Sequence, residues 1–110
     1  YFNTCITYDL LSLQFKLLVM EMKEIHNNNR YRILSVTLSV GEEMPLHEAT
    51  SDAFIMLKKG KGKISFDDRQ VELSAGETLL IKAHERHQLE VLEDFSSCIV
   101  LENDAKINFL

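Results

Sequence analysis

The sequence contains little cysteine, proline or glycine, and it has no tryptophan. Its 110 residues include two cysteines, one proline and four glycines. Two cysteines in unrelated contexts cannot form the disulfide framework of a small secreted domain, so we expect a reducing, cytoplasmic compartment. Because glycine and proline are so few, each one is expected to mark a turn that the backbone cannot make with another residue.

Long hydrophobic runs and an excess of positive charge are also missing. Lys16, Glu21 and Lys23 interrupt the most apolar region, which excludes a membrane span, and the sequence before that region lacks the basic segment of a signal peptide. Twelve basic against seventeen acidic residues give a net charge of −5, so we expect no nucleic-acid partner. The one basic cluster, Lys58 to Lys63, is predicted to be a solvated hairpin end, with an anion-binding or partner-facing patch as the alternative.

The apolar residues alternate with polar ones in many short runs. Period-two alternation at residues 11–19 and again at residues 34–40 predicts half-buried strands. Further short apolar runs follow at residues 54–57, 64–66, 71–73, 78–81, 89–92 and 98–101. Eight short strands with frequent turns predict an all-β sandwich or small barrel, and any helix is confined to residues 3–10.

Two segments carry most of the remaining information. The first runs from Gly41 through His47 to Gly60, and the second runs from Gly76 to His87. Their glycine and histidine spacings resemble the two motifs of the cupin superfamily, over residues 31–101. The resemblance implies a double-stranded β-helix (jelly-roll) barrel over residues 31–110, in which these two histidines face each other. Residues 1–30 are then an N-terminal extension with an extra strand that is available for dimerisation.

The sequence departs from the family pattern at the metal ligands. The second histidine of the first motif falls on Ala49 and its glutamate falls on Ala53. Asp52 does not replace the glutamate, since a shift of one residue on a strand points the side chain to the opposite face. Lys82 and His84 stand where the second motif has proline and glycine. The resemblance therefore implies a degenerate metal site.

Three functional hypotheses follow. The leading one is a binding domain for a small organic ligand in the barrel cavity. The alternatives are a metal-dependent enzyme of the oxygenase or isomerase type and an interaction module without a ligand.

The enzyme would need a divalent transition metal bound by His47 and His87, with a further ligand from Glu43 or His84. Met44 and Glu48 are also near these residues in sequence. No other cofactor is expected. Residues 11–25 are apolar on one face, so they must pair within the sheet or with another subunit. The resemblance to cupins, in which such strands often exchange between subunits, implies a homodimer. The predicted ligand-binding residues are His47, His87, Ile55, Leu57, Leu89 and Val91, although the same apolar residues could simply fill a small barrel.

Overall fold

The computed structural model describes residues 20–110, which form eight strands and no helix. The strands are β1 (Glu21–Asn27), β2 (Tyr31–Leu38), β3 (Glu43–Ala49), β4 (Ala53–Phe66), β5 (Gln70–Ser74), β6 (Thr78–Ile81), β7 (His87–Glu102) and β8 (Ile107–Phe109). The all-β prediction is confirmed. The strand predicted at residues 11–19 and the helix confined to residues 3–10 lie outside the described residues.

The barrel is organised around its two longest strands, β4 and β7. They pair antiparallel with each other, from Ala53 opposite Leu101 to Phe66 opposite His87. On its other edge β4 pairs first with β6 and then with β5, while β7 pairs first with β3 and then with β2. Each long strand thus belongs to two groups of shorter strands, and the sheet curls into a double-stranded β-helix.

The hairpin end predicted at Lys58 to Lys63 is wrong, because β4 continues through this segment as one strand with a bend. Its pairing with β7 shifts register between Leu57 and Gly62, and Gly60 adopts a left-handed conformation with φ of +89°. The polar residues lie on the outer side of a bend. There Lys61 and Lys63 form ion pairs with Glu93 and Glu90 of β7, at 3.6 and 3.3 Å.

A bulge in β3 decides which side chains of this strand point into the barrel. Met44 lies opposite Leu89 and His47 lies opposite His87, so β3 advances three residues while β7 advances two. The extra residue falls in the segment that holds Pro45, which has no N–H to donate to the ladder. In a regular strand Met44 and His47 would face opposite sides, but here both side chains are buried inside.

The core fills the space between the strands. Alternation on β2 turns Leu34, Val36 and Leu38 inward, as predicted, and they pack against apolar residues of β4 and β7. Strand β1 pairs with β2 and supplies the extra N-terminal strand that was expected. A domain boundary at residues 30 and 31 stays a prediction. Residues 20–110 contain no helix that is long and apolar enough to span a bilayer.

Candidate functional site

Two histidines meet inside the barrel as direct cross-strand partners. His47 of β3 lies opposite His87 of β7, and their ring centroids are 4.1 Å apart. The same row continues to Phe109 of β8 beside His47, at 5.4 Å, and to Phe66 of β4 beside His87, at 5.8 Å. Four neighbouring strands therefore contribute one aromatic row, with the two imidazoles at its centre.

Hydrogen bonds to the backbone fix the tautomer of both imidazoles. The Nδ1–H of His47 donates to the carbonyl oxygen of Pro45 at 2.7 Å, and that of His87 donates to the carbonyl oxygen of Glu85 at 2.8 Å. A carbonyl oxygen can only accept, so each Nδ1 carries the proton and each Nε2 of the neutral ring carries a lone pair. Neither Nε2 has a hydrogen-bond partner within residues 20–110.

Burial keeps the pair neutral. It lowers the pKa of His47 from 6.5 to about 4, and the neighbouring His87 lowers it as well. Burial also lowers the pKa of His87. The free lone pairs are consequently present at neutral pH.

The imidazoles border a cavity of about 50 Å³ inside the barrel. Its walls are Val36, Met44, His47, Ala49, Ala53, Ile55, Ile64, Ile81, His87, Leu89, Phe95, Ser97, Ile99, Leu101 and Ile107. Apart from the two histidines, the only polar side chain in this set of described residues is Ser97. No carboxylate or amine of residues 20–110 contributes to the wall, so the cavity is apolar and uncharged.

The structure brings some of the predicted ligand-binding residues to the cavity. Ile55 and Leu89 line it beside the two histidines. Leu57 and Val91 are also buried, but they lie two residues farther along β4 and β7 and pack in the core beyond the cavity wall. On the second half of β7 the lining comes from Phe95, Ser97, Ile99 and Leu101, and Cys98 is on the opposite face.

Ala49 and Ala53 face the same cavity as the two histidines. Both methyl groups are buried in its wall, where the resemblance would put a third imidazole and a carboxylate. A methyl group cannot ligate a metal, so the residues present do not fit the four-ligand site of the family. Among residues 20–110, no cluster of three or more histidine, cysteine, aspartate or glutamate side chains replaces it.

Glu43 and His84, the predicted extra ligands, are not brought to the imidazole pair. Glu43 is exposed because it precedes the inward-facing Met44 on β3. His84 lies on the loop between β6 and β7, where its Nδ1 is 2.7 Å from Oε2 of Glu48 on the outer side of the barrel. The third ligand of the metal-dependent alternative therefore does not come from either residue in this conformation.

The β6–β7 loop keeps a glycine-like backbone conformation, although Lys82 and His84 stand where the second family motif has proline and glycine. His84 has φ of +65°, a left-handed conformation that glycine adopts most easily. Asp52 accepts a hydrogen bond from the N–H of Ala83 at 2.9 Å, and Arg69 donates one to Glu85 at 2.9 Å. The hydrogen bond from Arg69 lowers the pKa of Glu85. These contacts hold the carbonyl group that orients His87.

Sequence reasoning did not find Phe109, Ile107, Ile81 or Ser97 as neighbours of the site. Ile107 and Phe109 alternate with polar residues in the way that a short strand does, which is the one pattern that could have revealed β8. Nothing in the sequence indicates that β8 pairs with β3 and closes the barrel beside His47.

The chain forms an antiparallel double-stranded β-helix, and one strand of each of its two motifs contributes a histidine to the pair inside it. This arrangement defines a cupin-type barrel. The model of the Cupin domain family matches residues 34–102, and the chain belongs to this family. No curated protein matches the sequence.

Solved structures share the fold at low sequence identity. A cupin superfamily protein from Desulfitobacterium hafniense DCB-2 is 21% identical, with a TM-score of 0.71 over 77% of this chain and 78% of that one. KdgF from a Halomonas species is 16% identical, with a TM-score of 0.70 over 76% and 80%. DMSP lyase DddQ from Ruegeria pomeroyi DSS-3 is 11% identical, with a TM-score of 0.73 over 78% of this chain and 48% of the lyase. At these identities the likeness shows the fold alone, since one fold hosts many functions.

Proposed function

We propose that this cupin domain is a binding domain that holds a small ligand in its barrel on the Nε2 atoms of His47 and His87. The observation that carries the proposal is the pair of hydrogen bonds from Nδ1 to the carbonyl oxygens of Pro45 and Glu85. Both rings are held in one orientation with an unshared lone pair, so binding would cost little ordering of the protein.

The cavity limits the size and chemistry of the ligand. Pockets for drug-sized molecules have volumes of roughly 300–1,000 Å³, whereas this cavity has about 50 Å³. The ligand therefore has only a few non-hydrogen atoms. It must also satisfy two acceptor nitrogens in an apolar wall, which a hydrogen-bond donor or a Lewis acid would do.

A metal-dependent enzyme is the second candidate, and one observation favours it. An imidazole that donates Nδ1–H to a backbone carbonyl is held in the way that metal-binding histidines are commonly held. The buried methyl groups of Ala49 and Ala53 weigh against a divalent ion, because stable sites for such ions use three or four protein ligands. An interaction module that binds nothing in its cavity is the third hypothesis.

Nuclear magnetic resonance of the imidazole nitrogens tests the binding proposal. We expect both Nε2 resonances of the free protein to be those of an unprotonated nitrogen at pH 7, and to shift on addition of hydrogen-bond donors of only a few non-hydrogen atoms, the size that a cavity of about 50 Å³ admits. The shift should disappear in His87→Leu and persist in His26→Leu, which changes an exposed histidine of β1. A protonated Nε2 on either ring would contradict the tautomer on which the proposal depends. If neither small donors nor metal ions perturb the pair, the interaction module is favoured instead.

A further inference from the structure

The cavity wall contains a third donor atom that belongs to neither family motif position. Met44 is buried and lines the cavity together with His47 and His87. The β3 bulge puts it there, since in a regular strand Met44 and His47 could not face the same side. We propose that the cavity binds one Cu⁺ ion through Nε2 of His47, Nε2 of His87 and Sδ of Met44. This inference rests on the proposed function, because it uses the same imidazole pair, and it names the class of ligand.

The charge of the wall favours a monovalent ion. The described residues that line the cavity include no aspartate or glutamate, so the full charge of a bound cation stays uncompensated. The free energy needed to move an ion from water into a medium of low dielectric constant rises with the square of its charge. A monovalent ion therefore costs about one quarter as much as a divalent ion of the same size. Zn²⁺ or Fe²⁺ would therefore place two uncompensated charges in the same apolar wall.

The donor atoms favour a soft ion. Thioether sulfur is a soft ligand that suits Cu⁺, and neutral imidazole also suits copper. Zn²⁺ instead prefers four ligands in a tetrahedral shell, and Ala49 and Ala53 leave that shell incomplete. The Cu⁺ ion tolerates two or three ligands, so two imidazoles and one thioether complete its shell.

The arrangement of Met44 also suits this role. Its strand partner is Leu89, which lies two residues from His87 on the same face of β7. Met44 thus occupies the row next to the imidazole pair, and its unbranched side chain has enough rotatable bonds to approach it. Because each Nδ1 already carries the ring proton, the ion displaces no proton from either histidine at neutral pH.

An anaerobic titration against the Cu⁺ complex of bicinchoninate tests the proposal. All variants carry Cys5→Ser and Cys98→Ser, since thiolates are strong Cu⁺ ligands, and the protein has no histidine tag. We expect one Cu⁺ per chain. Changes to residues that only support metal ligands typically cost roughly 10–100-fold in affinity, so Met44→Leu and His87→Leu should each weaken binding by at least about tenfold. Met56→Leu and His26→Leu, which change exposed residues of the same types, should leave the affinity unchanged.

A second measurement covers the case in which Met44→Leu alters the fold. X-ray absorption at the copper edge of protein labelled with selenomethionine should show a selenium neighbour in addition to nitrogen. Equal Cu⁺ affinity in Met44→Leu, a copper shell without selenium, or tighter binding of Zn²⁺ than of Cu⁺ would overturn the proposal. If Cu⁺ does not bind while small hydrogen-bond donors still shift the imidazole resonances, this inference fails and the proposed function stands.

Discussion

His47 and His87 are direct partners on two antiparallel strands, and each donates its Nδ1–H to the carbonyl oxygen of the residue two positions before it. The same local hydrogen bond on both sides leaves the Nε2 lone pairs of the two cavity-lining rings unshared. The pair is uncharged because it is buried, and this has a measurable consequence for stability.

Stability should fall as the pH decreases from about 6.5 to about 4. In the unfolded chain His47 takes up a proton near its ordinary pKa of 6.5, whereas burial delays protonation of the folded state to about pH 4. The unfolded state therefore binds more protons between these values, and the free energy of unfolding rises with pH there. At roughly 1.4 kcal/mol per unit, His47 contributes about 3 kcal/mol across this window, and His87 acts in the same direction. Urea unfolding at pH 7 and pH 4.5 should show a smaller difference for His47→Gln than for the wild type or His26→Gln. An equal pH dependence in all three proteins would show that the imidazole is not buried.

The methyl groups of Ala49 and Ala53 should be convertible into metal ligands. Both line the cavity beside the histidines, so Ala49→His with Ala53→Glu supplies an imidazole and a carboxylate to the same space. We expect this variant to bind one Zn²⁺ per chain in calorimetry. Zn²⁺ at a hundred times its dissociation constant should stabilise the variant by about 2.7 kcal/mol. A variant with glutamine at both positions controls for the added volume. If it is stabilised by Zn²⁺ to the same degree, the new side chains do not act as ligands.

The left-handed conformation of His84 predicts an unusual order of stabilities. Substitution by alanine or by glycine removes the contact with Glu48 equally, but only glycine relieves the strain of a φ of +65°. His84→Gly should therefore be more stable than His84→Ala by about 1 kcal/mol in urea unfolding. An alanine variant as stable as the glycine variant would argue against a left-handed loop.

Gly60 and Gly76 should respond very differently to the same substitution. A Cβ atom on Gly60 would overlap the backbone carbonyl group of Asp94, whereas one on Gly76 would meet nothing within 4 Å. Both have positive φ, so Gly76→Ala should cost about 1 kcal/mol from backbone strain alone. Gly60→Ala should cost at least about 3 kcal/mol, because strand β7 must move. Similar losses in both variants would contradict the close approach of β4 and β7 at the bend.

The homodimer expected from the sequence stays a prediction, and the outer face of the sheet gives it a location. Phe54 and Met56 of β4 and Leu80 of β6 lie side by side on this face and are each 42–51% exposed. A sheet that is apolar on both faces is typical of an interface, and we expect a second copy of the chain to cover it. Light scattering at micromolar concentration should give a dimer for the wild type and a monomer for Phe54→Lys. A monomeric wild type would refute the prediction.

Much of the fold could be predicted from the sequence because period-two alternation survives wherever a strand is regular. Strand β2 alternates between apolar and polar residues from Leu34 to Leu38, and its predicted ends lie within three residues of the observed ones. The bulge in β3 breaks the alternation, so this strand was indicated only by its motif. The long strands β4 and β7 were each predicted as two pieces. Their middle sections contain exposed polar residues at a bend, among them Lys58, Lys59, Glu93 and Asp94. A bend between paired strands depends on contacts that no local pattern records.

The candidate site was also predictable only in part, from its motifs and from regular alternation. His47 and His87 stood out because two motifs place them at defined spacings from glycines. Met44 was noted only as a sequence neighbour, since alternation from His47 would put it on the outside. Leu57 and Val91 have the same alternation as the cavity residues Ile55 and Leu89, and their position beyond the cavity depends on packing across the barrel.

The bulge in β3 also makes the tautomer of His47 depend on the presence of one residue, Leu46. An in-frame deletion of Leu46 would restore regular pairing between β3 and β7 and would still leave His47 opposite His87. In a regular antiparallel ladder the carbonyl groups point along the sheet toward the neighbouring strand, so none would face the imidazole of His47. The ring would keep its place in the wall but would be able to exchange between its two tautomers. A chain one residue shorter could thus retain the barrel and both histidines while losing the fixed polarity of the pair.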